Sequence, residues 1–169
     1  MVQQFEHTKF TSTGLPKVDR EELHQLFAIS IINRKSLLIL GKPGTGKTYR
    51  IRHPRMVSAS QLATEYQING IGAVKALINN QIDYQNRTVV IDDLGTEENV
   101  KNFGNQLDPI AYVIQGIYDI NQRGEEPILL YLTSNLNIKE LTERYGERVI
   151  DRIHEMCDIV VLEDTNLRR

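Results

Sequence analysis

Residues 41–48 read Gly41-Lys42-Pro43-Gly44-Thr45-Gly46-Lys47-Thr48 and fit G-x-x-x-x-G-K-[ST] at every position. The chemistry of such a stretch is the gripping of a phosphate chain. Glycines let the backbone turn so that several N–H groups converge on one concavity, and a helix starting at Gly46 adds its positive end. Lys47 is expected to reach the β- and γ-phosphates of ATP, and the Thr48 hydroxyl to coordinate Mg²⁺. Tyr49 completes the expected nucleotide-binding set. The alternative is a Gly-rich turn that binds nothing. The placement between an apolar run, Ser36–Leu40, and a helix start argues against it.

A second run, Val89-Val90-Ile91-Asp92-Asp93, ends in two carboxylates. Open α/β sheets place ligands at the C-terminal edges of their strands, so these acids should lie beside the phosphate loop. Asp92 is expected to hold Mg²⁺ through water, and Asp93 to orient or deprotonate the attacking water. Many ATPases have Asp-Glu here, and Asp93 is one methylene shorter. A misplacement near 1 Å costs about 10²-fold in rate, so Glu97 or Glu98 is a candidate assistant.

Thr133-Ser134-Asn135 ends the apolar run after Ile128, and a short amide there could hydrogen-bond the attacking water or the γ-phosphate. Ser and Asn also commonly begin turns. Arg148 and Arg152 fall at i,i+4 on one face of a helix whose buried side is Val149, Ile150, Ile153 and Met156. Such a pair either makes local ion pairs, as Arg152 with Asp151 or Glu155, or reaches a neighbouring subunit's γ-phosphate. Helix geometry alone favours local pairing.

The elements that must position these groups alternate between helix and strand. Asp19 with Glu22 reads as a capping box, followed by Leu23, Leu26, Phe27 and Ile31 at helical spacing. Pro54 cuts short the helix after the phosphate loop. Met56–Ala59 reads as a strand, Ser60 as a helix cap, and Gly70–Asn80 as a short helix. Thr88–Ile91, Ile128–Leu132 and Ile159–Leu162 read as strands; the first two are apolar on both faces, as in a buried parallel sheet. Residues 95–107 read as a polar loop. Asp108-Pro109 caps a helix carrying Ile110, Val113, Ile114 and Ile117, and Asn137 with Glu140 opens another. The pattern implies an α/β sandwich around a parallel sheet, with residues 1–18 as an arm or linker and 19–169 as one domain.

The chain has 169 residues, 40% hydrophobic and 25% charged, which is enough to bury a core without staples. A net charge of −2 gives no global attraction to nucleic acid or anionic membranes, so any DNA contact needs a local patch. Arg50, Arg52, His53 and Arg55 form the candidate patch. It suits single-stranded phosphates or is an ordinary solvated edge, with Tyr49 as its one aromatic neighbour. The single Cys157 fits a reducing compartment, the N-terminus has no apolar signal segment, and no apolar run is long enough to span a bilayer. A cytoplasmic protein with no membrane partner is expected.

The order of these motifs resembles the AAA+ ATPases of the DnaC-type helicase loaders and IstB-type transposition helpers. The matching stretches are SLLILGKPGTGKT, TVVIDDLG, ILLYLTSNL and LTERYGERVIDRI, and the resemblance covers residues 20–165. It implies a three-layer α/β/α P-loop fold with a five-stranded parallel sheet and no C-terminal lid domain. It implies Asn135 as the sensor residue, Arg152 as a finger acting in trans, with Arg148 second, and an ATP-dependent homo-oligomer. It also offers Thr165–Arg168 as a candidate for that family's terminal Arg-bearing motif.

Three departures stand beside the resemblance: the helix after the phosphate loop is nearly deleted, Asp93 replaces Glu, and residues 1–18 are too short for a helicase-binding domain. The expected function is weak ATP hydrolysis in DNA replication, with a replicative helicase or another DNA-processing protein as client and single-stranded DNA as a candidate ligand. A transposition helper, a nucleotide-dependent binding module and a small-molecule kinase are the alternatives.

Overall fold

The computed structural model describes residues 9–51, 56–79, 87–98, 101–102, 105–124 and 126–163. Along the chain come β1 (Lys9–Phe10), β2 (Pro16–Val18), α1 (Arg20–Asn33), β3 (Ser36–Leu40), α2 (Lys47–Arg50), β4 (Met56–Ser58), α3 (Ala59–Asn69) and α4 (Ile71–Asn79). Then follow β5 (Thr88–Leu94), β6 (Lys101–Asn102), β7 (Asn105–Gln106), α5 (Pro109–Asn121), β8 (Leu129–Ser134), α6 (Ile138–Tyr145), α7 (Glu147–Met156) and β9 (Cys157–Leu162).

The helix starts follow their side chains. Asp19 and Glu22 close a capping box on α1, and Asn137 and Glu140 close another on α6. Asp108 accepts from Ile110 N and Ala111 N, with Pro109 at the first helical position of α5. Ser58, rather than the expected Ser60, caps α3, because its hydroxyl accepts from Gln61 N at 3.1 Å. The strand therefore ends at Ser58 and Ala59 is already helical. The abbreviated helix after the phosphate loop is α2, four residues long.

The main sheet has the order β1-β2-β9-β3-β8-β5-β4. The five strands from β9 to β4 run parallel, as the sequence implied. Two further strands come from the segment read as an arm: β2 pairs parallel with β9, and β1 pairs antiparallel with β2. Their few residues show no readable period. Val18 is nonetheless fully buried, and β2 covers the open edge of β9. Within the expected polar loop, β6 and β7 form a small hairpin.

Alternation along each strand splits the core in two. Leu37, Ile39, Val90, Tyr131 and Val160 pack with Leu23 and Leu26 of α1 on one face. Leu38, Leu40, Val89, Ile91, Leu130 and Leu132 pack on the other against α3, α4, α5, α6 and α7. The result is the three-layer α/β/α arrangement. No helix among the described residues is long and apolar enough to cross a membrane.

Candidate functional site

β3, β8 and β5 are adjacent and parallel, so their C-terminal ends open on one edge. The phosphate loop leaves β3, Thr133 and Ser134 end β8 with Asn135 just beyond it, and Asp92-Asp93 lies just before the end of β5 at Leu94. The middle strand thus sets its tip between the loop and the carboxylates. Gly41 N donates to Ser134 O at 3.2 Å and ties the start of the loop to that tip. Gly44 and Gly46 take φ of 83° and 94°, left-handed values that a side chain disfavours, and Gly46 is the N-cap of α2.

Lys47 is buried at 4% exposure and its ammonium lies inside the bend. It donates to Gly41 O at 2.6 Å, Lys42 O at 3.0 Å and Asn135 Oδ1 at 2.7 Å. Phosphate oxygens entering the loop would replace the loop carbonyls as its partners. Burial holds the ammonium below the ordinary lysine value, while the charges of Asp93 and Asp92 oppose that shift. Thr45 is fully buried and donates to Lys42 O at 3.0 Å, which braces the loop from within. Lys42, Pro43 and Tyr49 are exposed at the rim.

In a regular strand Asp92 and Asp93 would point to opposite faces. Here β5 carries a register shift between Ile91 and Leu94, and Asp93 has φ 56°. Left-handed backbone is uncommon for a residue other than glycine, and it recurs where a site needs a re-aimed side chain. The turn directs both carboxylates to the loop. Asp92 accepts from the Thr48 hydroxyl, at 2.9 Å to Oδ1 and 3.0 Å to Oδ2. Asp93 Oδ1 faces Asn135 Nδ2 at 3.4 Å. Burial raises the proton affinity of Asp93, the neighbouring Asp92 adds to it, and Lys47 and Asn135 oppose it.

Asn135 therefore joins the loop lysine to the second carboxylate. Thr133, which sequence reasoning passed over, has a comparable part. Its fully buried hydroxyl donates to Asp92 Oδ1 at 2.6 Å and accepts from Asp93 N at 2.9 Å. The available signal was alternation, since Thr133 and Asn135 are two apart at one strand end. Glu97 is turned away into a pocket of its own with Arg144 and Tyr145, while Glu98 is exposed.

The two arginines of α7 are not part of this cluster. Arg148 is exposed. Arg152 pairs with Glu155 at 3.0 Å and stacks over the Tyr118 ring at 4.0 Å from its centroid. Of the basic patch, Arg52, His53 and Arg55 lie outside the described residues, as does Thr165–Arg168.

Beside the loop opens a cavity of ≈ 460 Å³. Leu15, Leu136, Ile138 and Val161 supply its apolar walls, and Gly41 and Lys42 its border with the loop. A phosphate cradle flanked by an apolar recess suits a nucleotide, with the base in the recess.

Sheet order, loop and acidic strand end define an α/β P-loop fold. Comparison with solved structures agrees. The chain is similar to the DnaC helicase loader, with a TM-score of 0.52 and 21% identity over 83% of this chain and 91% of that one. It is also similar to AMPPCP-bound DnaA from Aquifex aeolicus, with a TM-score of 0.52 and 17% identity over 86% of this chain and 49% of that one. No family profile matches the chain, and no curated protein sequence does. At these identities the likeness is one of fold, and the resemblance read from the motifs holds at that level.

Proposed function

We propose that this chain binds ATP with Mg²⁺, hydrolyses it slowly, and acts in DNA replication in the manner of a helicase loader. One observation carries the nucleotide reading: at a single phosphate loop, Thr48 meets Asp92 while Lys47 meets Asn135. Lys47 and the loop amides bind the phosphates. Asp93 orients the attacking water or takes its proton, and Asn135 holds the geometry between them.

The donor set fits Mg²⁺, which prefers hard oxygen ligands and keeps several waters and phosphate oxygens in its shell. Thr48 and Asp92 offer one hydroxyl and one carboxylate already in contact. Among the described residues there is no cluster of three acidic, His or Cys groups that would make a closed protein site. When bound, the ion neutralises phosphate charge.

The replication role rests on the fold likeness to the helicase loader, with a replicative helicase or another DNA-processing protein as client. Arg152, with Arg148 second, serves a neighbouring copy's site. The buried, reduced Cys157 suits the cytoplasm. A second reading, a nucleotide-gated binding module with little turnover, is favoured by the short Asp93 carboxylate and its raised proton affinity.

Calorimetry with ATP and magnesium, followed by turnover against protein concentration with and without single-stranded DNA, tests the reading. ATP uptake and concentration-dependent turnover are expected. No uptake of ATP or GTP by folded protein overturns it, and tight binding without turnover under any partner condition selects the second reading.

A further inference from the structure

The turn that bears Asp93 is pinned at each successive residue. Asp93 N donates to Thr133, Leu94 O accepts from Ser134 Oγ at 2.8 Å, and Gly95 N donates to the Tyr145 hydroxyl at 2.8 Å and to Glu97 Oε2 at 3.0 Å. The first two partners belong to β8, inside the site. The third comes from the end of α6, fifty residues along the chain from Gly95. Tyr145 OH in turn donates to Glu97 Oε1 at 2.6 Å. Arg144 closes the group, donating to Glu97 Oε1 and to Glu97 O, each at 3.0 Å.

This group is expensive to build for stability alone. The Glu97 side chain is 1% exposed, and Arg144, its ion-pair partner, is 21% exposed. An apolar set of similar shape commonly serves a core as well or better. What the polar set adds is direction. The single Gly95 N–H is aimed at two fixed acceptors, two residues after Asp93. Gly95 has φ 88° and lies so close to Leu136 that a Cβ would come within 2.3 Å of Leu136 Cδ1. The Tyr145–Glu97 pair holds the Gly95 amide by two hydrogen bonds.

We propose that Tyr145, acting with Glu97 and Arg144, is a positioning residue that holds the Gly95 end of the turn and so sets where the Asp93 carboxylate sits. The proposal rests on the nucleotide reading above. None of the three residues needs to touch substrate. Removing the Tyr145 hydroxyl leaves phosphate binding intact, since the loop, Lys47 and Thr48 are held by other contacts. It lets Asp93 shift, and a shift near 1 Å costs about 10²-fold in rate.

The test uses the full chain carrying Tyr145→Phe and, separately, Glu97→Gln. Thermal melts establish folding, calorimetry gives ATP affinity with magnesium, and single-turnover assays give the hydrolysis rate. Hydrogen exchange reads the Gly95 amide directly. The expected result is ATP affinity within about twofold of wild type, hydrolysis slower by about 10- to 100-fold, and faster exchange at Gly95. Wild-type hydrolysis rates in both folded variants overturn the proposal while leaving the nucleotide reading standing. So does a parallel fall of affinity and rate, the mark of general structural damage. Absence of ATP turnover in the wild-type chain under any partner condition removes the hydrolytic reading and this proposal with it, and failure to take up ATP at all removes the nucleotide reading as well.

Discussion

The Thr48 hydroxyl points at both carboxylate oxygens of Asp92, at 2.9 and 3.0 Å, and so links the start of α2 to the end of β5. A divalent ion bound with a nucleotide would take these two groups as its protein partners. Asp92→Asn keeps the shape and removes the charge. Turnover should fall by about 10²–10³-fold, as when other aimed electrostatic contacts are lost. The dependence of ATP affinity on magnesium should shrink, and chelating the ion from wild type should abolish turnover. Calorimetry with and without magnesium checks this; an unchanged magnesium requirement in Asp92→Asn removes Asp92 from the ion's shell.

Thr133 makes a sharper structural prediction. Its hydroxyl is fully buried and serves Asp92 and Asp93 N at once. Thr133→Val preserves shape but takes from Asp93 N its acceptor and leaves Asp92 Oδ1 with the Thr48 hydroxyl alone. Leaving a buried polar group unpaired costs about 1–3 kcal/mol, so urea unfolding should show a loss in that range. Thr133→Ser should restore most of it. A valine variant as stable as wild type would mean that water or a side-chain shift satisfies the Asp93 amide.

The titration of Asp93 and Lys47 gives a pH profile with a defined sign. Asp93 works as an acceptor only when ionised, and its proton affinity is raised above the ordinary value of 3.8. The rate should therefore climb with pH through a window above that value. Lys47 binds phosphate as an ammonium, and its proton affinity is lowered from the ordinary 10.5. The rate should begin to fall below that pH. In kcat/KM both limbs belong to the free protein. Asp93→Asn should remove the acid limb along with most of the activity, and an acid limb at the ordinary Asp value would show that Asp93 is solvated.

Gly95→Ala tests the turn through its backbone. Left-handed backbone costs an L-residue about 1–2 kcal/mol, and the added Cβ would meet Leu136 Cδ1 at 2.3 Å. Both effects should appear as lost stability. Leu136→Ala opens space but leaves φ unchanged, so Gly95→Ala should cost less in that background, with about 1–2 kcal/mol remaining. Equal costs in the two backgrounds would mean that Leu136 moves aside freely.

What could be read in advance follows from how local each feature is. Gly41–Thr48 is legible because its geometry is made by consecutive residues, and Asp92 because an apolar run ends on it. Asn135 is legible as the tip of a strand. Thr133 is hidden by its partner lying 41 residues away, and the Tyr145–Glu97 bond spans 48. No periodicity encodes such a pair. The strands at Lys9–Phe10 and Pro16–Val18 are hidden for another reason. They are too short to show alternation, and pairing with β9 is what makes them strands. Ser58 and Ser60 are equally good caps by type, and only the register of β4 decides between them.

The Arg152 guanidinium rests on the Tyr118 ring and pairs with Glu155 within one copy. Those contacts are what local pairing predicts, and a finger acting in trans must exchange them for a neighbour's phosphate. The two roles separate by mixing. Arg152→Ala keeps an intact phosphate loop, and Lys47→Ala keeps an intact arginine. Each alone should turn over ATP at least about 10²-fold more slowly than wild type, in keeping with the worth of such fingers in other phosphoryl-transfer sites. Mixed in equal amounts at high protein concentration, they should recover a measurable fraction of wild-type turnover, because one copy's loop meets the other's arginine. Turnover that stays at the sum of the separate variants, or wild-type rates in Arg152→Ala alone, would assign Arg152 to holding α7 against α5 and nothing more.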